Sequence, residues 1–76
     1  MNKVRRDRIA KVIDCLSSMR AEIEDICADE GFALEGIKEH FAETERCQRM
    51  EEIVDALEEA AAKVESAVED LEECTA

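Results

Sequence analysis

The last third of the chain writes one seven-residue unit almost four times: Met50-Glu51-Glu52-Ile53-Val54-Asp55-Ala56, Leu57-Glu58-Glu59-Ala60-Ala61-Ala62-Lys63, Val64-Glu65-Ser66-Ala67-Val68-Glu69-Asp70 and Leu71-Glu72-Glu73-Cys74-Thr75-Ala76. A sustained heptad of apolar positions marks a helix that packs along its length on other helices. It predicts a long helix from about residue 45 to 74. The main stripe is Cys47, Met50, Val54, Leu57, Ala61, Val64, Val68 and Leu71, and a second line of Ile53, Ala60, Ala67 and Cys74 lies beside it. Two lines make a face wider than a two-stranded coiled coil needs. Such a face suits a helix touching at least two neighbours, as in a four-helix bundle.

The first half carries the same kind of pattern. Ile9, Val12, Leu16, Met19, Ile23 and Ile26 are spaced 3, 4, 3, 4 and 3 apart, with Ile13 and Cys27 widening the stripe. They predict a helix over about residues 3–30, roughly 40 Å long at 1.5 Å per residue. Gly31 and Gly36 punctuate the middle, and each costs about 1 kcal/mol relative to alanine inside a helix. The helix is expected to end near Gly31, or to cross it and stop at Gly36. Ile37 and Phe41 lie one turn apart, so a short helix over about residues 37–42 is expected to plug the end of the bundle. Thr44 has the chemistry of an N-cap, and Glu45 puts a favourable negative charge in the first turn of the last helix.

These elements predict an all-α fold. It is a single helical domain over residues 1–76, an antiparallel hairpin of two long helices with a short connecting helix. One hairpin leaves the broad, alanine-rich face wet, and two hairpins bury it together. A homo-oligomeric bundle, dimer or higher, is therefore expected, with Met50, Ile53, Val54, Leu57, Ala60, Val64, Ala67 and Leu71 at the oligomer interface. Size favours the same reading, since a chain of 76 residues buries a modest share of its surface and small helical chains often gain burial by self-association. Tyrosine and tryptophan are absent and only Phe32 and Phe41 are aromatic, so the core falls to aliphatic residues, methionine and cysteine.

Charge is unevenly distributed. The net charge is −11, yet residues 1–20 hold six basic against two acidic residues, and residues 21–76 hold four basic against nineteen acidic. Phosphate repulsion makes direct nucleic-acid binding unlike most of this surface. Folding the chain back sets Arg5, Arg6 and Arg8 near Glu65, Glu69, Glu72 and Glu73, an asymmetry that needs no ligand. The basic opening runs into charged residues rather than a continuous apolar stretch, so no secretory signal is expected. No window reads as a membrane span. Cys15, Cys27, Cys47 and Cys74 are far apart in sequence, which favours free thiols in a reducing cytosol, packed as small apolar residues.

Candidate chemistry is sparse. His40 is the only histidine, and no serine or cysteine is placed to serve with it as a nucleophile. Zinc sites use short cysteine spacings that are missing here, so no metal and no cofactor is expected. The paired carboxylates Glu51-Glu52, Glu58-Glu59 and Glu72-Glu73 follow the apolar stripe onto the wet face, whereas catalytic pairs need a shielded pocket. The chain therefore reads as a non-enzyme. Arg46 and Arg49 stand out because positive charge at a helix start opposes the helix dipole. An ion pair with Asp25, Asp29 or Glu30 is the plain explanation. The functional one is an anion site between subunits, with Arg46 and Arg49 of one chain meeting Lys3, Arg5, Arg6 or Arg8 of another.

The opening Met1-Asn2-Lys3-Val4-Arg5-Arg6 and the run Glu45-Arg46-Cys47-Gln48-Arg49-Met50-Glu51-Glu52, followed by Leu57-Glu58-Glu59-Ala60, resemble a group of short acidic helical proteins from phages, prophages and mobile elements of Gram-positive bacteria. Gly36-Ile37-Lys38 stands where that group commonly has a proline-containing turn, and Cys47 stands where it has glycine. The resemblance implies a phage-like setting and a bacterial host cytosol. Three functions fit it. One is a counter-defence protein that sequesters a small anionic nucleotide signal at the arginine-lined junction. Another is an acidic decoy that mimics nucleic acid and blocks a basic host defence protein. The third is a structural or regulatory helix-pairing partner.

Overall fold

The computed structural model describes residues 1–41 and 44–76, and these form two helices, α1 (Lys3–Phe41) and α2 (Glu45–Thr75). They pack side by side as an antiparallel hairpin, a rod of 57 × 14 × 13 Å. The all-α hairpin expected from the heptads is what the chain forms.

α1 begins where Asn2 caps it: the Asn2 side-chain oxygen accepts from the Arg5 N–H at 2.9 Å, and its carbonyl accepts from the Arg6 N–H at 3.1 Å. The helix then runs unbroken through both glycines. The expected break near Gly31 or Gly36 is absent, and residues 37–41 belong to α1 rather than to a separate short helix. Residue 42 of that expected helix lies outside the described residues. The reason is energetic. Two glycines cost about 2 kcal/mol together, and the apolar stripe that continues past them recovers it: Leu34 is only 6% exposed and Ile37 is half-buried. Tertiary packing, rather than propensity, holds most helices in place.

α2 starts as its composition dictates. Thr44 is its N-cap, with extended backbone, and the Thr44 hydroxyl accepts from the Cys47 N–H at 3.2 Å. Cys47 itself, at 2% exposure, is the most covered apolar residue of the described core, with Leu34, Ala61 and Val68. Burial in α2 is deepest on the expected main stripe, and Ile53, Ala60 and Ala67 of the second line are half-buried beside it. Cys47, Ala61 and Val68 are buried, and Met50, Val54, Leu57, Val64 and Leu71 are half-buried. In a lone hairpin only the facing helix can cover these side chains, so this stripe is the seam between α1 and α2.

The stripe of α1 is rotated from the expected one. Residues facing α2 are Ile9, Ile13, Leu16, Arg20, Ile23, Cys27, Glu30, Leu34 and Ile37, all buried or half-buried. Val12, Met19 and Ile26, expected in the core, are 47%, 58% and 43% exposed. One facing helix covers two positions per heptad, and α1 has three apolar ones. The rotation observed places Leu34 rather than Ala33 inside and lets Arg20 reach across to Glu65 at 3.3 Å.

The helices are unequal, with 39 residues in α1 and 31 in α2. Cross-helix contacts fix their alignment: Lys38 with Glu51 at 3.0 Å, the Cys27 thiol donating to the Val54 carbonyl at 3.7 Å, and Arg20 with Glu65. Stepping back along both helices from Arg20 and Glu65 sets Thr75 opposite about residue 10 of α1. The first two turns of α1 thus project past the described end of α2. Met1 and Val4, 56% and 67% exposed, lie on this projection.

Candidate functional site

With the seam at heptad positions a and d, the flanking positions e and g line its two edges. In an antiparallel pair, reversing one helix sets e beside e and g beside g. The e edge is polar. It carries Ser17, Glu24 and Lys38 from α1 and Glu51, Glu58, Glu65 and Glu72 from α2. The Lys38–Glu51 contact crosses it directly, and its hydrogen bond holds the Lys38 ammonium above its ordinary pKa. The Cys27 thiol is pushed up by desolvation, with Glu58 and Asp55 adding to the effect.

The g edge is the opposite. α1 contributes Val12, Met19, Ile26 and Ala33, and α2 contributes Ile53, Ala60, Ala67 and Cys74. No charge interrupts these eight positions, in a chain whose residues are 41% charged, and Arg5, His40 and Arg46 end the g lines beyond them. Larger side chains of one helix stand level with smaller ones of the other: Met19 with Ala67, Ile26 with Ala60, Ile53 with Ala33. The result is a level apolar strip along most of the rod. Single exposed apolar residues are ordinary, whereas a continuous strip marks an interaction surface.

The expected interface residues therefore divide. Ile53, Ala60 and Ala67 lie on the g edge, where another molecule can reach them. Met50, Val54, Leu57, Val64 and Leu71 lie in the seam against α1. Val12, Met19 and Ile26, on the expected packing stripe of α1, lie at the surface. The signal for them was present, as two adjacent apolar lines in one helix.

The arginines fall into two groups at opposite ends. Arg46 and Arg49, in the first two turns of α2, line an open hollow of about 510 Å³ with Glu45, Gln48 and Glu52. Arg49 pairs with Glu52 at 3.2 Å, rather than with Asp25, Asp29 or Glu30. Among the described residues Arg46 has no hydrogen-bond or ion-pair partner. At the far end, Arg5 and Arg8 line a hollow of about 300 Å³ with Met1, Ile9 and Val12, and Arg6 donates to the Met1 carbonyl at 3.0 Å. Among the described residues, Arg5, Arg6 and Arg8 form no ion pair. The expected neighbours Glu69, Glu72 and Glu73 do not reach them, because the projection carries these arginines past the end of α2. Glu65 is taken by Arg20.

The cysteines are free thiols, buried at Cys47, half-buried at Cys27 and exposed at Cys15 and Cys74. Among the described residues, no group of three His, Cys, Asp or Glu side chains is placed to hold a metal ion, and no helix is long and apolar enough to cross a membrane. Compared with known proteins, the chain matches no family model, no curated protein and no solved structure.

Proposed function

We propose that this chain is a non-catalytic helix-pairing protein that works by self-association through its g edge, two hairpins forming a four-helix bundle. The observation that carries this reading is the uncharged strip of Val12, Met19, Ile26, Ile53, Ala60 and Ala67 on an otherwise acidic rod. A single hairpin has a thin core: its buried apolar residues among those described are Leu34, Cys47, Ala61 and Val68. Burial of apolar surface yields about 25 cal/mol per Å², so covering the strip supplies what the hairpin lacks. The e edge is unsuited to the same task, because Glu58, Glu65 and Glu72 would meet their own copies. Light scattering with size-exclusion chromatography tests the proposal. The expected mass is twice the 8.6 kDa of one chain. Met19→Lys, on the wet side of the hairpin, is expected to give single chains that stay helical. A parent chain of single mass at every concentration overturns the reading.

The unpartnered Arg46 beside Arg49 favours a second reading, in which the protein captures a small anion such as a nucleotide signal. This fits the phage-like setting implied by the resemblance. Cyclic nucleotides and ADP-ribose derivatives are the probes, with a rise in melting temperature expected that Arg46→Ala removes. No rise with any of them counts against capture.

A further inference from the structure

We infer that the second copy docks on the g edge with both turns at one end, α1 of each hairpin lying on α2 of the other, and that Glu22 of each copy pairs with Lys63 of the other at mid-rod. This deepens the self-association proposed above and rests on it.

Two-fold symmetry leaves two ways to cover the strip face to face with a second copy. An axis along the rod keeps both turns together and sets α1 on the other copy's α2. An axis across the rod turns one hairpin end for end and sets α1 on the other copy's α1. The first keeps every residue at its own height, so side chains that stand level within a hairpin also stand level between hairpins.

Side-chain volume favours the first. Met19 then meets Ala67 of the other copy, Ile26 meets Ala60, and Ile53 meets Ala33, a large group against a small one in each layer. Facing positions that alternate in this way interdigitate without voids. Turned end for end with the strip fully overlapped, Met19 meets Ile26 and Ala67 meets Ala60, which crowds one helix pair and leaves a gap along the other.

The borders of the strip favour it too. They are the c positions, which flank g on each helix. Glu22 and Lys63 are exposed c residues, and each lies two residues from the Arg20–Glu65 contact on its turn side, so the two are level. With the turns together, Glu22 meets Lys63 of the other copy on both flanks of the bundle. Glu22 has no ion pair among the described residues, and the exposed pair of Lys63 with Glu59, at 3.3 Å, leaves the ammonium able to take a second carboxylate. The remaining borders oppose no like charges, since Asp29 meets Ala56 and Gly36 meets Arg49. At the ends, Arg46 comes level with His40 of the other copy, and Arg5 projects past its α2. Turned end for end, Glu22 meets Glu22 and Lys63 meets Lys63, because both sit at the middle of the strip, and Arg5 comes beside Arg46. Most other carboxylates lie on positions b, e and f, away from the strip, where salt screens their repulsion beyond about 8 Å.

Spin labels placed on the exposed Gln48, near the turn, read the arrangement directly. The label is introduced by Gln48→Cys in a Cys15→Ala, Cys74→Ala background. Cys47 is buried, and Cys27 is half-covered with its thiol pKa raised, so both react slowly. Pulsed electron resonance then measures the distance between copies. Docking with the turns together predicts roughly 25 Å, the diagonal of a four-helix bundle plus the reach of two labels. The end-for-end dimer gives roughly 50 Å, from the 1.5 Å rise over the residues between label and centre, and overturns the orientation while leaving self-association intact. Single-chain mass with no distance between copies overturns both. Charge exchange is a second probe. Glu22→Lys is expected to weaken dimerisation severalfold, and Glu22→Lys with Lys63→Glu to restore it. A dimer unchanged by Glu22→Lys, or not restored by the double exchange, contradicts the pairing.

Discussion

Replacing Arg20 with leucine is expected to make the protein more stable. Arg20 occupies a seam position between Leu16 and Ile23 on the face that meets α2, and its side chain is 33% exposed. Its Nε is buried and makes no hydrogen bond. Glu24 Oε1 stands 3.5 Å away, close enough for charge attraction and too long for a good hydrogen bond. Arg20 therefore gives up hydration at one nitrogen and gains two ion pairs, with Glu24 and Glu65, whose own side chains are 57% and 56% exposed. Exposed pairs of this kind contribute about 0–1 kcal/mol each. Both glutamates rehydrate freely when the guanidinium is removed, so no stranded charge remains. Leucine at the same place contributes about 1.5–3 kcal/mol if fully buried. Scaled for partial exposure, and for the packing of the arginine stem that is lost, the net gain is about 1 kcal/mol. In a chain of this size that raises the melting temperature by about 4–8 °C. The assay is thermal and urea unfolding followed by circular dichroism at 222 nm, at one fixed protein concentration because self-association contributes to stability. Arg20→Ala, which leaves a gap in the seam, is expected to be less stable than the parent. An Arg20→Leu variant that melts several degrees below the parent would show that the cross-helix ion pairs hold the hairpin, and would refute the reasoning.

Gly31→Ala and Gly36→Ala are each expected to add about 1 kcal/mol, because a methyl group at either position meets nothing within 4 Å and both lie inside α1. Equal or lower urea midpoints would mean that the glycines serve a state other than this hairpin. Alkaline conditions should weaken the fold in two steps. Cys27 and Lys38 both have folded-state pKa values raised above their ordinary ones, the first by desolvation and the second by its hydrogen bond to Glu51. A raised value means that the contribution is intact below the unfolded pKa and lost as pH climbs through the folded one. Stability is thus expected to be level through neutral pH with respect to these two groups. It should fall above about 8.5, the ordinary thiol value, and fall again above about 10.4, the ordinary lysine value. Cys27→Ala removes the first step, and an unchanged alkaline profile in that variant would contradict the assignment.

The fold was legible where one apolar line dominated its helix. In α2 the seam read from the heptads is the line that the structure covers, and Thr44 caps the helix its hydroxyl was expected to cap. In α1 two neighbouring lines competed, Val12–Met19–Ile26 and Ile13–Arg20–Cys27–Leu34, and the former is the more apolar. Spacing alone cannot tell which of two adjacent lines one partner will cover. That choice is made by the partner, through Glu65 reaching Arg20 and Glu51 reaching Lys38. The glycines misled for a related reason: propensity near Gly31 and Gly36 is local, and the packing of Leu34 and Ile37 that outweighs it is not. The candidate surface was half legible. Ile53, Ala60 and Ala67 were expected to meet another chain, but the matching half on α1 emerges only once its core line is known. The ends of the rod depart from expectation because α1 is longer than its glycines suggest. Extending α1 through the glycines is what carries Arg5, Arg6 and Arg8 beyond reach of Glu69, Glu72 and Glu73.

The antiparallel alignment of the hairpin has a kinetic consequence. Lys38 meets Glu51, Cys27 meets Val54, and Arg20 meets Glu65, so the loop each contact closes lengthens steadily away from the turn. Closing a loop becomes costlier with its length, and Lys38 with Glu51 is the cheapest of the three pairs to form. Folding is thereby directed to begin at the turn and proceed toward the termini, each layer shortening the search for the next. The two ends of the rod are then unequal in time as well as in charge: a lesion near Cys47 retards assembly of the hairpin, whereas one near Leu71 mainly hastens its opening.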